Sequence, residues 1–167
     1  WSFFTEGPVR FAPVVWKDRL FVVSDDGYLY CLNLQDGTLI NRWRGGTRED
    51  RVLGNSQMIS KLPARGGPVI HGGVLYWAAG IWQSEGVFIH AMNPDTGELV
   101  WTNDQSGGIS MPQPHGGAIA KSGVSAQGYL LANDERLFVP TGRAVPAAFR
   151  RSNGEFEYYH LQRNSPR

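Results

Sequence analysis

Along this chain, short runs with apolar residues at every second position alternate with clusters of Gly, Asp, Asn and Pro. Alternation over ~4 to 8 residues is the mark of a half-buried β-strand, and the interruptions are turn chemistry. The clearest case is Ile89 to Trp101, where two such runs flank Pro94-Asp95-Thr96-Gly97. Gly97 supplies the positive φ that a hairpin corner needs. The same corner recurs at Asp36-Gly37 and at Asn153-Gly154, so that Gly97 lies 60 residues beyond Gly37 and Gly154 lies 57 beyond Gly97. A near-constant period of this size marks a structural repeat.

Each repeat reads as four strands in succession. The first holds Phe11 to Trp16, Arg19 to Ser24, Gly27 to Leu32 and Thr38 to Trp43. The second holds Gly67 to His71, Val74 to Ala79, Val87 to Met92 and Glu98 to Thr102, and the third Gln127 to Ala132, Arg136 to Thr141, Val145 to Phe149 and Glu155 to Leu161. A four-stranded up-and-down meander is the unit of a β-propeller blade, whereas a solenoid coil needs fewer strands and a shorter period. The expectation is an all-β, partial propeller. Blade one spans about 9–44, blade two about 65–103 and blade three about 126–162, with irregular connectors at 45–64 and 104–125. Propellers close with ~4 to 8 blades, and Trp1-Ser2-Phe3-Phe4 resembles the outermost strand of a preceding blade. Without an initiator Met or a signal peptide, the chain is expected to be a piece of a longer protein. Its open edges are then covered by the remaining blades or by another copy.

The stretch Ala91-Met92-Asn93-Pro94-Asp95-Thr96-Gly97-Glu98-Leu99-Val100-Trp101 resembles the Ala-x-Asp-x-x-Thr-Gly-x-x-x-Trp docking motif of pyrroloquinoline quinone (PQQ)-like β-propeller repeats, with Asn93 in the Asp slot. In the third repeat Ala148, Gly154 and Tyr158 fill the Ala, Gly and aromatic slots, while Arg150 and Asn153 depart from the motif. In the first, Cys31 and Gly37 match, Asn41 stands where Trp is expected and Trp43 lies two residues on. The motif implies that Trp101 bridges blades near the Asp95-Thr96-Gly97 corner. The resemblance implies a bacterial, periplasmic or secreted protein. It points to two kinds of function: PQQ-dependent quinoprotein dehydrogenases, and non-catalytic scaffolds similar in kind to the propeller subunit of the outer-membrane barrel assembly machinery. The former add PQQ, a Ca²⁺ ion, an Asp base and, in many members, vicinal cysteines. This chain has one cysteine, Cys31, expected as a buried, inert thiol.

Composition narrows the classes further. A net charge of +1 and a pI near 8.1 give no basic field for nucleic acid, and no apolar run reaches the ~18 to 20 residues of a membrane span. Arg42-Trp43-Arg44 and Arg150-Arg151 read as solvated faces, and Asp25-Asp26-Gly27 as a hairpin corner rather than a carboxylate pair. No Gly-x-Ser-x-Gly, His-Glu-x-x-His or phosphate-cradling loop is present. His71, His90, His115 and His160 have no metal-ligand spacing, although His115 sits in the Pro-rich second connector.

Two candidate ligand sites stand out. Arg10 and Arg65 precede equivalent innermost strands, with Gln127 in the third repeat, so pseudo-rotation brings them to the channel mouth. There they either bind a carboxylate or other anion, with Gly66, Gly67 and Gly128 leaving room for it, or bond neighbouring blades. The second candidate is Trp82 in the inserted loop Gly80 to Gly86, which either stacks on a sugar or a quinone or staples the loop to its blade. Trp77 reads as core. The functions weighed are a ligand- or protein-binding scaffold, part of a quinoprotein oxidoreductase, and a carbohydrate-binding propeller.

Overall fold

The computed structural model describes residues 1–54, 56–113, 117–142 and 145–160. Blade one is the antiparallel meander β1 (Val14–Trp16), β2 (Arg19–Val23), β3 (Tyr28–Asn33) and β4 (Leu39–Arg44). A hairpin of β5 (Arg51–Gly54) and β6 (Gln57–Ser60) leads to blade two, formed by β7 (Gly66–His71), β8 (Val74–Ala79), β9 (Phe88–Met92) and β10 (Leu99–Asn103). A 3₁₀ turn at Ser106–Gly108 and the hairpin β11 (Ser110–Pro112) and β12 (Ile119–Lys121) follow. After β13 (Gly128–Tyr129), blade three comprises β14 (Leu131–Ala132), β15 (Arg136–Val139), β16 (Ala147–Arg150) and β17 (Phe156–Tyr158).

The middle strands carry apolar residues on both faces because each sheet is covered on both sides. In β8, Leu75, Trp77 and Ala79 pack toward blade one, while Tyr76 and Ala78 pack toward blade three. Blade one contributes Phe21, Val23, Leu29 and Cys31 to the first seam, and blade three contributes Leu137, Val139, Ala147 and Phe149 to the second. Each large side chain so buried is worth ~1.5 to 3 kcal/mol. Burial also pushes the Cys31 thiol pKa up. The outer strand β4 is mostly exposed, as a perimeter strand must be.

Three aromatic docks lie at the rim, two of them between blades and one from the N-terminal segment onto blade one. The hydrogen bonds that close the corners are the same each time: Gly37, Gly97 and Gly154 donate to Asn33, Asn93 and Arg150 carbonyls at 2.9, 2.8 and 2.8 Å. With φ of 73, 76 and 72°, these glycines sit in the left-handed region. A Cβ on Gly37 would lie 2.2 Å from the ring of Trp1, on Gly97 2.3 Å from Trp43, and on Gly154 2.4 Å from Trp101. Trp43 and Trp101 therefore lie on the bare corner of the next blade, and Trp1 on that of blade one. Trp101 bridges blades as expected, but its corner is Gly154; the Asp95-Thr96-Gly97 corner receives Trp43. A ring on an outer strand reaches across the seam, whereas its own corner lies back along its own sheet. Trp43 can replace the missing Trp at Asn41 because side chains two apart on a strand share a face; it stands opposite Leu29, two positions along from Asn41 opposite Cys31. Tyr158 takes the register of Trp101, opposite Ala148, and remains 37% exposed.

Two expectations need correction. The stretches read as irregular connectors contain the hairpins β5–β6 and β11–β12, because a long segment next to the sheets satisfies its backbone by pairing with itself. In β5–β6, Val52 lies opposite Ile59, whose side chain is buried. The strand expected over Gln127 to Ala132 is divided. β13 pairs in parallel with β7 of blade two (Gly128 with Gly66, Tyr129 with Gly67), and only β14 joins blade three. Among the described residues no helix is long and apolar enough to cross a membrane.

Candidate functional site

Arg10, before β1, and Arg65, before β7, do meet, and the anion between them belongs to the chain. Arg10 Nε donates to Asp25 Oδ2 at 2.7 Å, and Arg65 donates through Nε to Oδ1 and through Nη2 to Oδ2, both at 2.9 Å. Asp25 is 1% exposed. Its backbone is also tied down: its N–H donates to Pro8 O, and its carbonyl accepts from Ser60 N–H, each at 2.9 Å. A carboxylate buried this deeply requires paired cations, and the two arginines supply them. Gln127 stands apart, donating to Ser125 Oγ at 3.0 Å. The neighbouring glycines leave no room for a ligand. A Cβ on Gly66 would fall 2.5 Å from Ala78, on Gly67 3.0 Å from Tyr129, and on Gly128 3.0 Å from Pro140.

Asp26 does the corner work expected of the Asp25-Asp26-Gly27 turn, accepting from Tyr28 N–H at 3.0 Å. It also accepts from the Tyr30 hydroxyl at 2.7 Å and from Glu6 N–H at 3.0 Å. Its oxygens are thus engaged. The buried carboxylates Asp25 and Asp26 have their partners inside the fold, and among the described residues no three His, Cys, Asp or Glu side chains gather as a metal site. A Ca²⁺ ion takes ~6 to 8 oxygens, and with the Asp25 and Asp26 carboxylates already engaged the described residues at this place do not fit one.

The loop carrying Trp82 is rigidly presented. Gly80 N–H donates to Pro63 O at 2.9 Å, and the Ser125 hydroxyl donates to Ile81 O at 2.6 Å. The Gln83 amide donates to Gly123 O at 3.3 Å, and Trp82 O accepts from Glu85 and Gly86 N–H groups. The polar neighbours, not the indole, staple the loop, which leaves Trp82 38% exposed. Its ring borders a groove of about 250 Å³ with Val52, Lys61, Ser84 and Glu85. On the other face of the β5–β6 hairpin, Leu53 is 75% exposed. Sequence reasoning singled out Trp82 but not the hairpin wall opposite it; the alternation from Arg51 to Gly54 and from Gln57 to Ser60 was the available signal.

Each described histidine has a structural partner. His71 meets Asp134 at 2.9 Å, and the exposed His160 ring stacks on Tyr158 at 6.0 Å. His90 is buried in the first seam, 4.6 Å from the Trp77 ring centroid. Its Nε2–H donates to Gly45 O at 2.8 Å, and its Nδ1 accepts from the Thr102 hydroxyl at 2.9 Å, a pairing that suits the neutral ring. Burial pushes its pKa down from 6.5 to about 4. His115 lies outside the described residues.

Sheets of four antiparallel strands, packed face to face and pinned at the rim by indoles, define a partial β-propeller. Among solved structures the chain is similar to BamB from Moraxella catarrhalis, with 17% identity and a TM-score of 0.66 over 97% of this chain. It is also similar to the quinohemoprotein alcohol dehydrogenase from Comamonas testosteroni, with 16% identity and a TM-score of 0.62 over 93% of this chain. A third such structure is a europium-containing methanol dehydrogenase, with 14% identity and a TM-score of 0.58 over 95% of this chain. The chain spans 42, 21 and 26% of these three proteins. At such identities the likeness is one of fold. No family model and no curated protein sequence matches.

Proposed function

We propose that this chain is a scaffold segment of a larger propeller, with blades at about 9–44, 65–103 and 126–162, and that it binds a ligand or protein partner on its connector face around Trp82. The observation that carries this reading is a preorganised aromatic side chain: the loop is hydrogen-bonded on both flanks, yet the indole faces a groove. An exposed aromatic held this way binds at little entropic cost. The same ring suits the face of a sugar, so carbohydrate binding is the second reading. In this proposal the Arg10–Asp25–Arg65 clasp is structural, and the apolar far face of blade three, where Leu131 is 61% exposed, is covered by remaining blades or another copy. A periplasmic or secreted setting follows from the PQQ-like resemblance and belongs to the same proposal.

The test compares the chain with Trp82→Ala on arrays of peptides and glycans. The reading expects signals that vanish in the variant while its thermal midpoint is unchanged, and the class of the lost signals separates partner from sugar. Identical profiles would move the function away from Trp82. Dye reduction by the full-length protein with added PQQ, Ca²⁺ and an alcohol or sugar would instead favour the oxidoreductase reading.

A further inference from the structure

One place beside the corners is closed in the first seam and open in the second. Arg19 precedes Leu20, which stands opposite Leu32, and Val74 precedes Leu75, which stands opposite Met92. Leu32 and Met92 lie at the same interval before Gly37 and Gly97, so Arg19 and Val74 hold equivalent positions. In the first seam Arg19 Nη1 reaches across to the corner of blade two, donating to Pro94 O at 3.1 Å and to Asp95 O at 2.7 Å. The Asp95 carboxylate takes the Trp16 indole N–H at 2.9 Å and Lys17 Nζ at 2.8 Å. Cation and anion there both come from the chain. In the second seam Val74 is too short to cross. A cavity of about 200 Å³ remains between Val74, Tyr76 and Val100 of blade two and Asp134, Arg151 and Ser152 of blade three. Both of its walls belong to this chain.

The charge at this corner is the reverse of that in the first seam. Arg151 and Ser152 stand where Pro94 and Asp95 stand before their corner glycine. Arg150-Arg151 reads in the sequence as a solvated face, but while the Arg150 side chain is 50% exposed, that of Arg151 is only 16% exposed. Arg151 Nε donates to the Tyr76 hydroxyl at 2.9 Å and Nη1 to Asn133 O at 2.6 Å, which leaves N–H groups on both Nη atoms. Both acceptors are neutral. Among the described residues the one carboxylate within 4.0 Å is Asp134, which is 99% exposed and already meets His71 at 2.9 Å. Blade two answers with no anion: Gly72 lies against Arg151 Nη2, where a Cβ would fall 2.5 Å away. A guanidinium this far buried calls for an opposite charge. The Tyr76 phenol, whose pKa burial raises, keeps a proton that has no acceptor among the described residues.

We propose that this cleft binds a small free monocarboxylate with a short apolar body, branched or aromatic, the carboxylate on Arg151, Tyr76 and Ser152 and the body against Val74 and Val100. Such a ligand supplies from solution what Arg19, Lys17 and Asp95 supply in the first seam, a bridge of opposite charges between two blades. A guanidinium meets a carboxylate through paired N–H donors, and the phenol adds another. An acid without the body loses the apolar burial, and a neutral body without the acid leaves Arg151 unanswered. The cleft shares no residue with the Trp82 groove, so either reading can fail alone.

The experiment is a titration of the full-length protein with benzoate, followed by the methyl NMR signals of Val74 and Val100. Both should shift and saturate. Benzyl alcohol keeps the ring without the charge and acetate the charge without the ring, and each should bind about tenfold or more weakly. Arg151→Gln should weaken benzoate about tenfold or more, the effect of losing one charge-assisted hydrogen bond. Val74→Phe, which fills the floor of the cleft, should abolish the shift read at Val100. Lys121→Gln removes a cation from the exposed β12 and should change nothing. Circular dichroism of each variant should match the parent. No saturable shift in the parent, equal affinity for benzyl alcohol, or an effect of Arg151→Gln no larger than that of Lys121→Gln would overturn the proposal.

Discussion

Where blade one meets blade two, an indole lies on a bare glycine at the rim and the interior holds polar chemistry. The neutral His90 is bonded to Gly45 O and Thr102, and Asp25 is clasped by an arginine ahead of each blade. Where blade two meets blade three, the rim dock is the same, but the position equivalent to His90 is Ala147, buried among Tyr76, Ile89 and Val139. Gln127, in the third repeat, makes a neutral bond where Arg65 makes two charged ones. The first seam gains geometric definition from a buried imidazole and a buried carboxylate that are costly to leave unpaired, whereas the second joins an apolar interior to hydrogen bonds from Arg151 Nε to the Tyr76 hydroxyl, from Trp101 Nε1 to Arg151 O and from Asn103 to Gly154 O. Equal rim docks with unequal interiors predict equal responses to losing an indole and unequal responses to charge and pH.

The largest effects should come from the shared feature. Trp43→Ala and Trp101→Ala should each cost roughly 3 kcal/mol or more, within the range for large aromatic truncations, as read by denaturant titration. A loss below ~1 kcal/mol for either would show that its indole carries no dock. The next effect separates the seams. Asp25→Ala leaves two guanidiniums facing one another and should destabilise by about 3 kcal/mol, as for breaking a buried pair. Gln127→Ala should stay within ~1 kcal/mol, the worth of a neutral hydrogen bond. Similar values for the two would erase the distinction between the clasp and the neutral bond.

The pH dependence follows from His90. Its ring takes up a proton near 6.5 in the unfolded chain but only near 4 in the fold, so between those values the unfolded state binds more protons. Stability is full above about pH 6.5 and declines as pH falls, by about 3 kcal/mol once both states are protonated. His90→Gln should flatten that decline, measured as the denaturation midpoint against pH. The smallest effect belongs to Trp1→Ala. Its ring docks on Gly37 but stays largely exposed, and its loss should cost ~1 kcal/mol or less.

What could be read from the chain was whatever the repeat states in local terms. The period-2 runs gave the blade strands, Gly37, Gly97 and Gly154 marked the corners, and the motif residues Ala91, Thr96 and Trp101 pointed to an aromatic dock. The partner of that dock was not legible, since which corner an indole covers depends on how adjacent sheets are staggered. Nor was the role of Asp25, because a turn carboxylate and a buried clasp differ only in what lies across the seam. Trp43 looked misplaced until its ring was seen on Gly97, and the grouping of Arg42, Arg44, Arg48 and Arg51 needed the β5–β6 hairpin to assemble it. His90 carries no sequence mark of burial beyond its place in a strand.

The difference between the seams is tested most directly by amide hydrogen exchange, resolved by residue, at pH 7 and pH 5 and corrected for the intrinsic exchange rate. Protonation of His90 should open the first seam before the second. The account predicts that β3 and β9 amides lose protection at pH 5 while β15 and β16 amides keep theirs. Equal loss in both groups, or greater loss in β15 and β16, would contradict it.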